Sequence, residues 1–253
     1  MNNNEIIRIE NLRREFFVGN EVVKALRGVS FKICKGEFVS IMGASGSGKS
    51  SLLNILGCLD KPTNGKYFLD NVDIKTMSND ELAMYRNKKI GFVFQSYNLL
   101  PRTTALENVE LPLLYNLELT NSGRVKRAKE ALDAVGLADR FDHTPSQMSG
   151  GQQQRVAIAR SLVNDPVIIL ADEATGNLDT KTSYEIMSLF QELNRNGKTI
   201  AFVTHEPDIA SFCSRNIILR DGIILRETKN ENVASAEELL ATLPVLDEVE
   251  ATP

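Results

Sequence analysis

The segment Gly43-Ala44-Ser45-Gly46-Ser47-Gly48-Lys49-Ser50 satisfies the pattern G-x-x-x-x-G-K-[ST] at each constrained position. A loop of this kind cradles phosphate, because glycines let the main chain approach closely and successive N–H groups turn inward. Lys49 is placed to reach the β- and γ-phosphates of a nucleotide. The Ser50 hydroxyl is placed to bind Mg²⁺, and Ser51 continues the cradle into the helix behind it. Asp172 and Glu173 offer a second chemistry. They tip the apolar run Val167–Leu170, and a carboxylate pair at the end of a buried strand can hold Mg²⁺ and position a water for attack. Such a pair alone is most often a solvated strand end; the complete phosphate loop upstream shifts the reading to function. A third stretch is Ser149-Gly150-Gly151-Gln152. Ser149 and Gln152 have capping-box spacing, and the glycines leave a helix N-terminus bare, where N–H groups can meet an anion.

The elements around these residues follow from periodicity. Ile6–Leu12, Ser30–Ile33, Glu37–Met42 and Lys66–Leu69 read as strands, and Lys49–Leu56 as the helix behind the phosphate loop. Ser78 with Glu81, and Thr104 with Glu107, mark helix starts. Ile90–Phe94 is a strand leading to Gln95. From Ser96 to Asn164 the pattern is mostly helical. It includes Ser122–Val135, stopped by Gly136, and the helix opened by Ser149, with Val156, Ile158, Ala159, Leu162 and Val163 on its apolar face. Beyond Pro166 strands return at Val167–Ala171, Thr199–Thr204 and Ile217–Arg220. A helix spans Thr180–Asn196 and ends at Gly197. Asp221-Gly222 reads as a hairpin turn returning through Ile223–Leu225. A short helix near Ala236–Leu243 lies in an otherwise weakly patterned acidic tail. The alternation gives an α/β fold with a mostly parallel sheet, into which Ser96–Asn164 inserts as a helical block. His205 follows the strand Thr199–Thr204 and so emerges at the same sheet edge as Glu173. His143 has no such context and reads as surface.

The chain has 253 residues, 42% of them hydrophobic and 25% charged, which suits a globular protein with a sizeable core. A net charge of -4 gives no support to a nucleic-acid binder. Cys34, Cys58 and Cys213 are scattered, odd in number and without metal-ligand spacing, as suits a reducing compartment. The start MNNNEIIRIE is not expected to act as a signal peptide, and no apolar run approaches the ~20 residues of a spanning helix.

Taken in order, the Ser149–Gln152 turn with its helix, the Asp172–Glu173 strand tip and the GNLD of Gly176–Asp179 resemble the signature, Walker B and D-loop of ATP-binding-cassette (ABC) ATPases. The resemblance runs from about Ile6 to Glu227. It implies a P-loop NTPase of the RecA-like kind, with a mostly parallel sheet, an antiparallel β subdomain and an inserted α-helical subdomain. One ABC domain would cover 1–229, its core and β subdomain from 1–95 and 165–229 and its helical subdomain from 96–164, with an acidic tail at 230–253. The cofactors implied are ATP and Mg²⁺. By the same resemblance Asp172 orients the Mg²⁺ shell and Glu173 is the general base. Gln95 is the Q-loop glutamine that senses Mg²⁺ and the attacking water, and His205 is the H-loop histidine at the γ-phosphate. Asp179 is the D-loop aspartate of a dimer interface. Phe16 stands where the family usually has a tyrosine stacking on adenine; Phe17 is a rival, and plain packing of both is the ordinary alternative. Ala174 stands where the family usually has proline, so the loop after Glu173 is expected to be looser.

The resemblance also implies partners. The signature residues Ser149, Gly150, Gly151 and Gln152 of one subunit would close over the phosphates held by Lys49 of another copy, in a two-fold ATP-sandwich homodimer. GCLDKPTNG at Gly57–Gly65, IGFVFQSYNLLP at Ile90–Pro101 and TALENVELPLL at Thr104–Leu114 resemble the macrolide-exporter, lipoprotein-releasing and cell-division branch. That implies a bacterial or archaeal ATPase, peripheral on the cytoplasmic face of the plasma membrane. Its partner would be an integral permease subunit with an external domain, and no nucleic acid is expected. Tyr97–Pro101 is expected to line the groove for that partner, the alternative being packing within the helical block. The basic stretch Arg124–Lys129 reads as a solvated helix face before it reads as a lipid-headgroup site. The rival classes are a soluble ABC ATPase acting on DNA or ribosomes, and a regulatory module that binds ATP without turning it over.

Overall fold

The computed structural model describes residues 4–116 and 118–243; residues 244–253 of the acidic tail lie outside them. Strand β1 (Glu5–Val18) and strand β2 (Glu21–Cys34) form one long hairpin. β3 (Phe38–Met42) leads through the phosphate loop into α1 (Lys49–Leu56). β4 (Asn64–Leu69), β5 (Val72–Asp73), α2 (Asn79–Lys89) and β6 (Ile90–Phe94) follow. The helical block holds α3 (Ala105–Glu110), α4 (Asn121–Asp133) and α5 (Gly150–Leu162), with 3-10 turns at Leu111–Tyr115 and Pro145–Gln147. The chain ends through β7 (Ile168–Asp172), α6 (Thr180–Arg195), β8 (Ile200–Thr204), α7 (Pro207–Ala210), β9 (Arg215–Arg220), β10 (Ile223–Lys229) and α8 (Ala236–Thr242).

Two sheets result. The antiparallel one has the order β2-β1-β4-β5, and the other the order β10-β9-β3-β8-β7-β6. In the second, every pairing is parallel except that of β10 with β9. Its central strands are covered on both faces, and their side chains divide by parity between two cores. Ile169, Ala171, Ile200 and Phe202 point into a cluster shared with α3, α4, α5 and α6, whereas Ile168, Leu170, Ala201 and Val203 join α1 and the antiparallel sheet. Continuous apolar runs are what a doubly covered parallel strand requires. The helical block therefore packs on the same cluster as the parallel sheet and α6, whose Phe190 lies edge-on to Phe202 at 5.5 Å between ring centroids.

The first hairpin corrects the sequence reading. Strands expected at Ile6–Leu12 and Ser30–Ile33 are the inner ends of two 14-residue strands joined through Gly19 and Asn20. Register shifts between Ile9 and Leu12 and again before Glu15 break the period-2 pattern, and Phe17, Val18, Val22 and Val23 are exposed. With neither face of the outer hairpin buried, no alternation marks it as strand. β5, two residues long, was also missed. His143 is half-buried, and its carbonyl accepts a hydrogen bond from the N–H of Ala105.

Candidate active site

Parallel register brings the loops to one edge. Met42, the last residue before the phosphate loop, lies level with Thr204, the last before His205. Asp172 lies level with Val203 on one side and with Phe94, the residue before Gln95, on the other. The carboxyl ends of β3, β8, β7 and β6 thus deliver Lys49, His205, Asp172–Glu173 and Gln95 to a common rim, where α/β sheets place their ligands.

The phosphate loop is fixed by close approaches. Gly43 has φ +158°, and a Cβ there would sit 2.4 Å from both the Leu219 carbonyl and the Ser47 hydroxyl. Gly48 has φ +104°, and its Cβ would come within 2.6 Å of the Ala25 carbonyl. Both positions therefore exclude any larger residue. Lys49 is buried, and its ammonium donates to the carbonyls of Gly43 at 2.7 Å and Ala44 at 3.0 Å. The buried Ser47 hydroxyl has no hydrogen-bond partner among the described residues. Ala44, Ser45 and Gly46 complete the turn, and Ser50 and Ser51 lie in the first turn of α1.

At the tip of β7 the carboxylates have different surroundings. Burial, reinforced by the charge of Glu173 and opposed by Lys49, raises the Asp172 pKa above the ordinary carboxylate range. Glu173 adopts φ +45°, left-handed for a non-glycine residue. That conformation costs about 1–2 kcal/mol and persists only where surrounding contacts enforce it. Here they are plain. The Glu173 N–H donates to the Val203 carbonyl at 2.9 Å, and its carbonyl accepts from the N–H of Gly176 at 2.9 Å. Its Oε1 lies 2.9 Å from His205 Nδ1. The next carbonyl, that of Ala174, accepts from Nε2 of Gln154 at 2.7 Å.

Gln95 is tied to the segment after Glu173. Its Nε2 donates to Asn177 Oδ1 at 3.3 Å, and Asn177 Nδ2 donates back to the Gln95 carbonyl at 3.1 Å. Tyr97 and Asn98 follow in the left-handed region, and Arg160 of α5 donates to both carbonyls at 2.7 and 2.6 Å. Asp179 caps α6, its Oδ1 accepting from the Thr182 N–H at 2.9 Å. At the start of α5, Ser149 and Gln152 form a complete capping box. The backbone at Gly150 runs close to the Tyr97 hydroxyl and Leu178, and at Gly151 close to the Thr182 side chain. Among the described residues no hydrogen bond joins Ser149–Gln152 to the phosphate loop. Phe16 pairs across the hairpin with Val23 and has the Arg14 guanidinium over its ring at 4.4 Å, while Phe17 is 75% exposed.

The sequence reading passed over Gln154, Arg160 and Asn177. Gln154 had a visible signal, being a polar residue four positions before Ile158 on the apolar face of α5. Tyr97–Pro101 divides in the structure. Asn98 lines a surface groove of about 1130 Å³ together with Met84, Phe92, Leu114, Tyr115 and Arg160. Leu99 instead packs against the helical cluster, as the alternative reading had it.

Comparison with known proteins bears on this rim. A family model described as ABC transporter matches residues 26–176. An uncharacterized ABC transporter ATP-binding protein of Thermotoga maritima is 54% identical over 220 residues, covering 87% of this chain and 94% of that one. The macrolide export ATP-binding/permease protein MacB of Chlorobaculum tepidum is 52% identical over 90% of this chain, which spans only 35% of MacB. Among solved structures, the dimeric post-hydrolysis state of the ATP-binding cassette MJ0796 with ADP and Pi, a protein of Methanocaldococcus jannaschii, superposes with a TM-score of 0.81. It is 51% identical over 89% of this chain and 99% of its own.

Proposed function

Because this chain belongs to the ABC transporter family as an ATP-binding, ATP-hydrolysing subunit, we propose that it works as a homodimer closing on ATP to drive a separate membrane permease. One observation carries this reading. The chain has one phosphate loop and one Ser149–Gln152 helix start, and among the described residues no hydrogen bond joins the two. A second copy brings the missing half to each site, as an isologous pairing does. The dimeric relative at 51% identity supports that arrangement.

In this reading Lys49 and the N–H groups of Gly43–Ser51 hold the phosphates, and Ser149, Gly150, Gly151 and Gln152 of the other copy close over them. Phe16, partly exposed and with Arg14 over its ring, is the residue proposed to stack on adenine. Ser50, Asp172 and Gln95 fit Mg²⁺. They are hard oxygen donors, and the half-buried Asp172 carboxylate has only partial compensation from Lys49. When bound, the ion would neutralise charge developing on the transferring phosphate. Glu173 accepts the proton of the attacking water while His205, bonded to it, fixes its direction and faces the γ-phosphate. Gln95 orients the same water and, through Asn177, feels the loop after Glu173. Asp179 stiffens the start of α6 at the interface.

No helix among the described residues is long and apolar enough to cross a membrane. We place the chain on the cytoplasmic face of the plasma membrane as a peripheral subunit, because MacB by its name unites ATP-binding and permease functions and this chain matches about a third of it. The groove beside α2 is the docking surface proposed for the permease, with Met84, Leu114 and Tyr115 exposed at its rim. Glu173→Gln tests the core of the reading. It should slow hydrolysis by at least about a hundredfold while keeping ATP affinity, and light scattering should show ATP-dependent dimers. A variant that stays monomeric in saturating ATP would sink the dimer.

A further inference from the structure

Gln154 is fully buried, yet only half of its amide is used. Nε2 donates to the Ala174 carbonyl at 2.7 Å, and Oε1 has no partner among the described residues. An unpaired buried amide oxygen destabilises a fold, and a methionine or leucine would fill the same space without it. The position therefore calls for an explanation beyond packing.

The bond it makes supplies one. Glu173 sits in a left-handed conformation next to Ala174, and the Ala174 peptide is gripped from α5. The remaining grips on Glu173 come from its own turn and from the adjoining strand β8 with the His205 behind it. α5 opens at Ser149, five positions before Gln154, and its far end holds Tyr97 and Asn98 through Arg160. A single 13-residue helix thus joins the Ser149–Gln152 turn to the loops that follow Glu173 and Gln95.

We propose that Gln154 is a positioning residue that couples the two nucleotide sites: engagement of the α5 N-terminus with the partner's nucleotide sets, through the Gln154–Ala174 bond, the posture of Glu173 in its own subunit. This rests on the dimer reading above. A buried, short, directional hydrogen bond transmits a displacement of a helix that surface contacts would absorb. Coupling between sites is then a difference in how well Glu173 is aimed with and without the neighbouring nucleotide.

The test is Gln154→Met, which keeps length and removes the donor, with Gln154→Leu as a second variant. Removing the orphaned Oε1 and orphaning the Ala174 carbonyl offset each other, so Tm should stay within about 2 °C of the parent. Against a parental Hill coefficient for ATP above 1, kcat should fall on the order of tenfold, with KM little changed and the coefficient near 1. In the Glu173→Gln background the ATP-dependent dimer should still form, because the binding surfaces are untouched. Unchanged kcat and cooperativity in a dimer-forming protein would overturn the proposal alone. So would a kcat loss that follows a drop in Tm with the Hill coefficient retained, or a parent without cooperativity. Absence of the dimer in Glu173→Gln itself would instead overturn the reading on which the proposal stands.

Discussion

Asp172 and Glu173 are neighbours in sequence with different physical burdens. Burial and the adjacent carboxylate hold the Asp172 pKa high, so the fold disfavours its charged form. Its stabilising contribution is complete below the unfolded carboxylate value of about 3.9 and is lost as pH rises through the raised folded value. Near neutrality the ionised side chain therefore works against the nucleotide-free fold. Asp172→Asn should raise Tm at about pH 7 and change it little near pH 3, in thermal scans without nucleotide or Mg²⁺. The same variant should lose hydrolysis by at least about a hundredfold, because a neutral amide oxygen lacks the negative charge that a carboxylate offers a divalent cation. A Tm that fell at neutral pH would contradict this account. These carboxylates were legible in the sequence because they end an apolar run, as Gln95 and His205 follow others. The left-handed turn at Glu173 was not legible. It is imposed by Val203, Gly176, His205 and Gln154, and three of these lie on other segments of the chain.

Helix starts were the most legible elements, since a capping box is local chemistry. Ser78–Glu81, Thr104–Glu107 and Ser149–Gln152 each form both reciprocal bonds. The long β1–β2 hairpin was the least legible, because its outer half has no buried face to write a pattern. α5 falls between. Its start and apolar stripe could be read, but not that its polar residues reach across to other loops. Arg160 is the clearest of these, donating to two carbonyls whose residues both have positive φ. Arg160→Ala should destabilise by about 2 kcal/mol, lowering Tm by roughly 4–8 °C. Arg160→Lys, which offers a point charge in place of a fork, should recover part of that loss. Thermal melts of the pair decide it; an alanine variant with parental Tm would show the clamp to be idle.

On the scale of the whole molecule, the parallel sheet separates a helical cluster on one face from the antiparallel sheet on the other. The groove opens at the helical side, beyond β6 and α2. Tyr115, 79% exposed at its rim, is where the proposed docking is tested. Tyr115→Glu should leave the ATPase rate of the isolated subunit within about twofold and weaken stimulation by the membrane partner several-fold, since a charge replaces an aromatic anchor. Reconstitution with that partner measures both, and equal loss of basal and stimulated rates would argue against docking there. The phosphate loop meanwhile stands where both sheets meet: Gly222 N–H donates to the Ser47 carbonyl, and the Gly222 carbonyl accepts from Arg27 of β2. Within that seam the Lys49 ammonium is already shared by the carbonyls of Gly43 and Ala44. An arriving triphosphate consequently trades oxygen ligands around a cation that the loop already holds in place. The conformational entropy of shaping the cradle is lost when the chain folds, not at each encounter. Capture in that regime runs at a pace set by diffusion and by charge at the mouth of the loop.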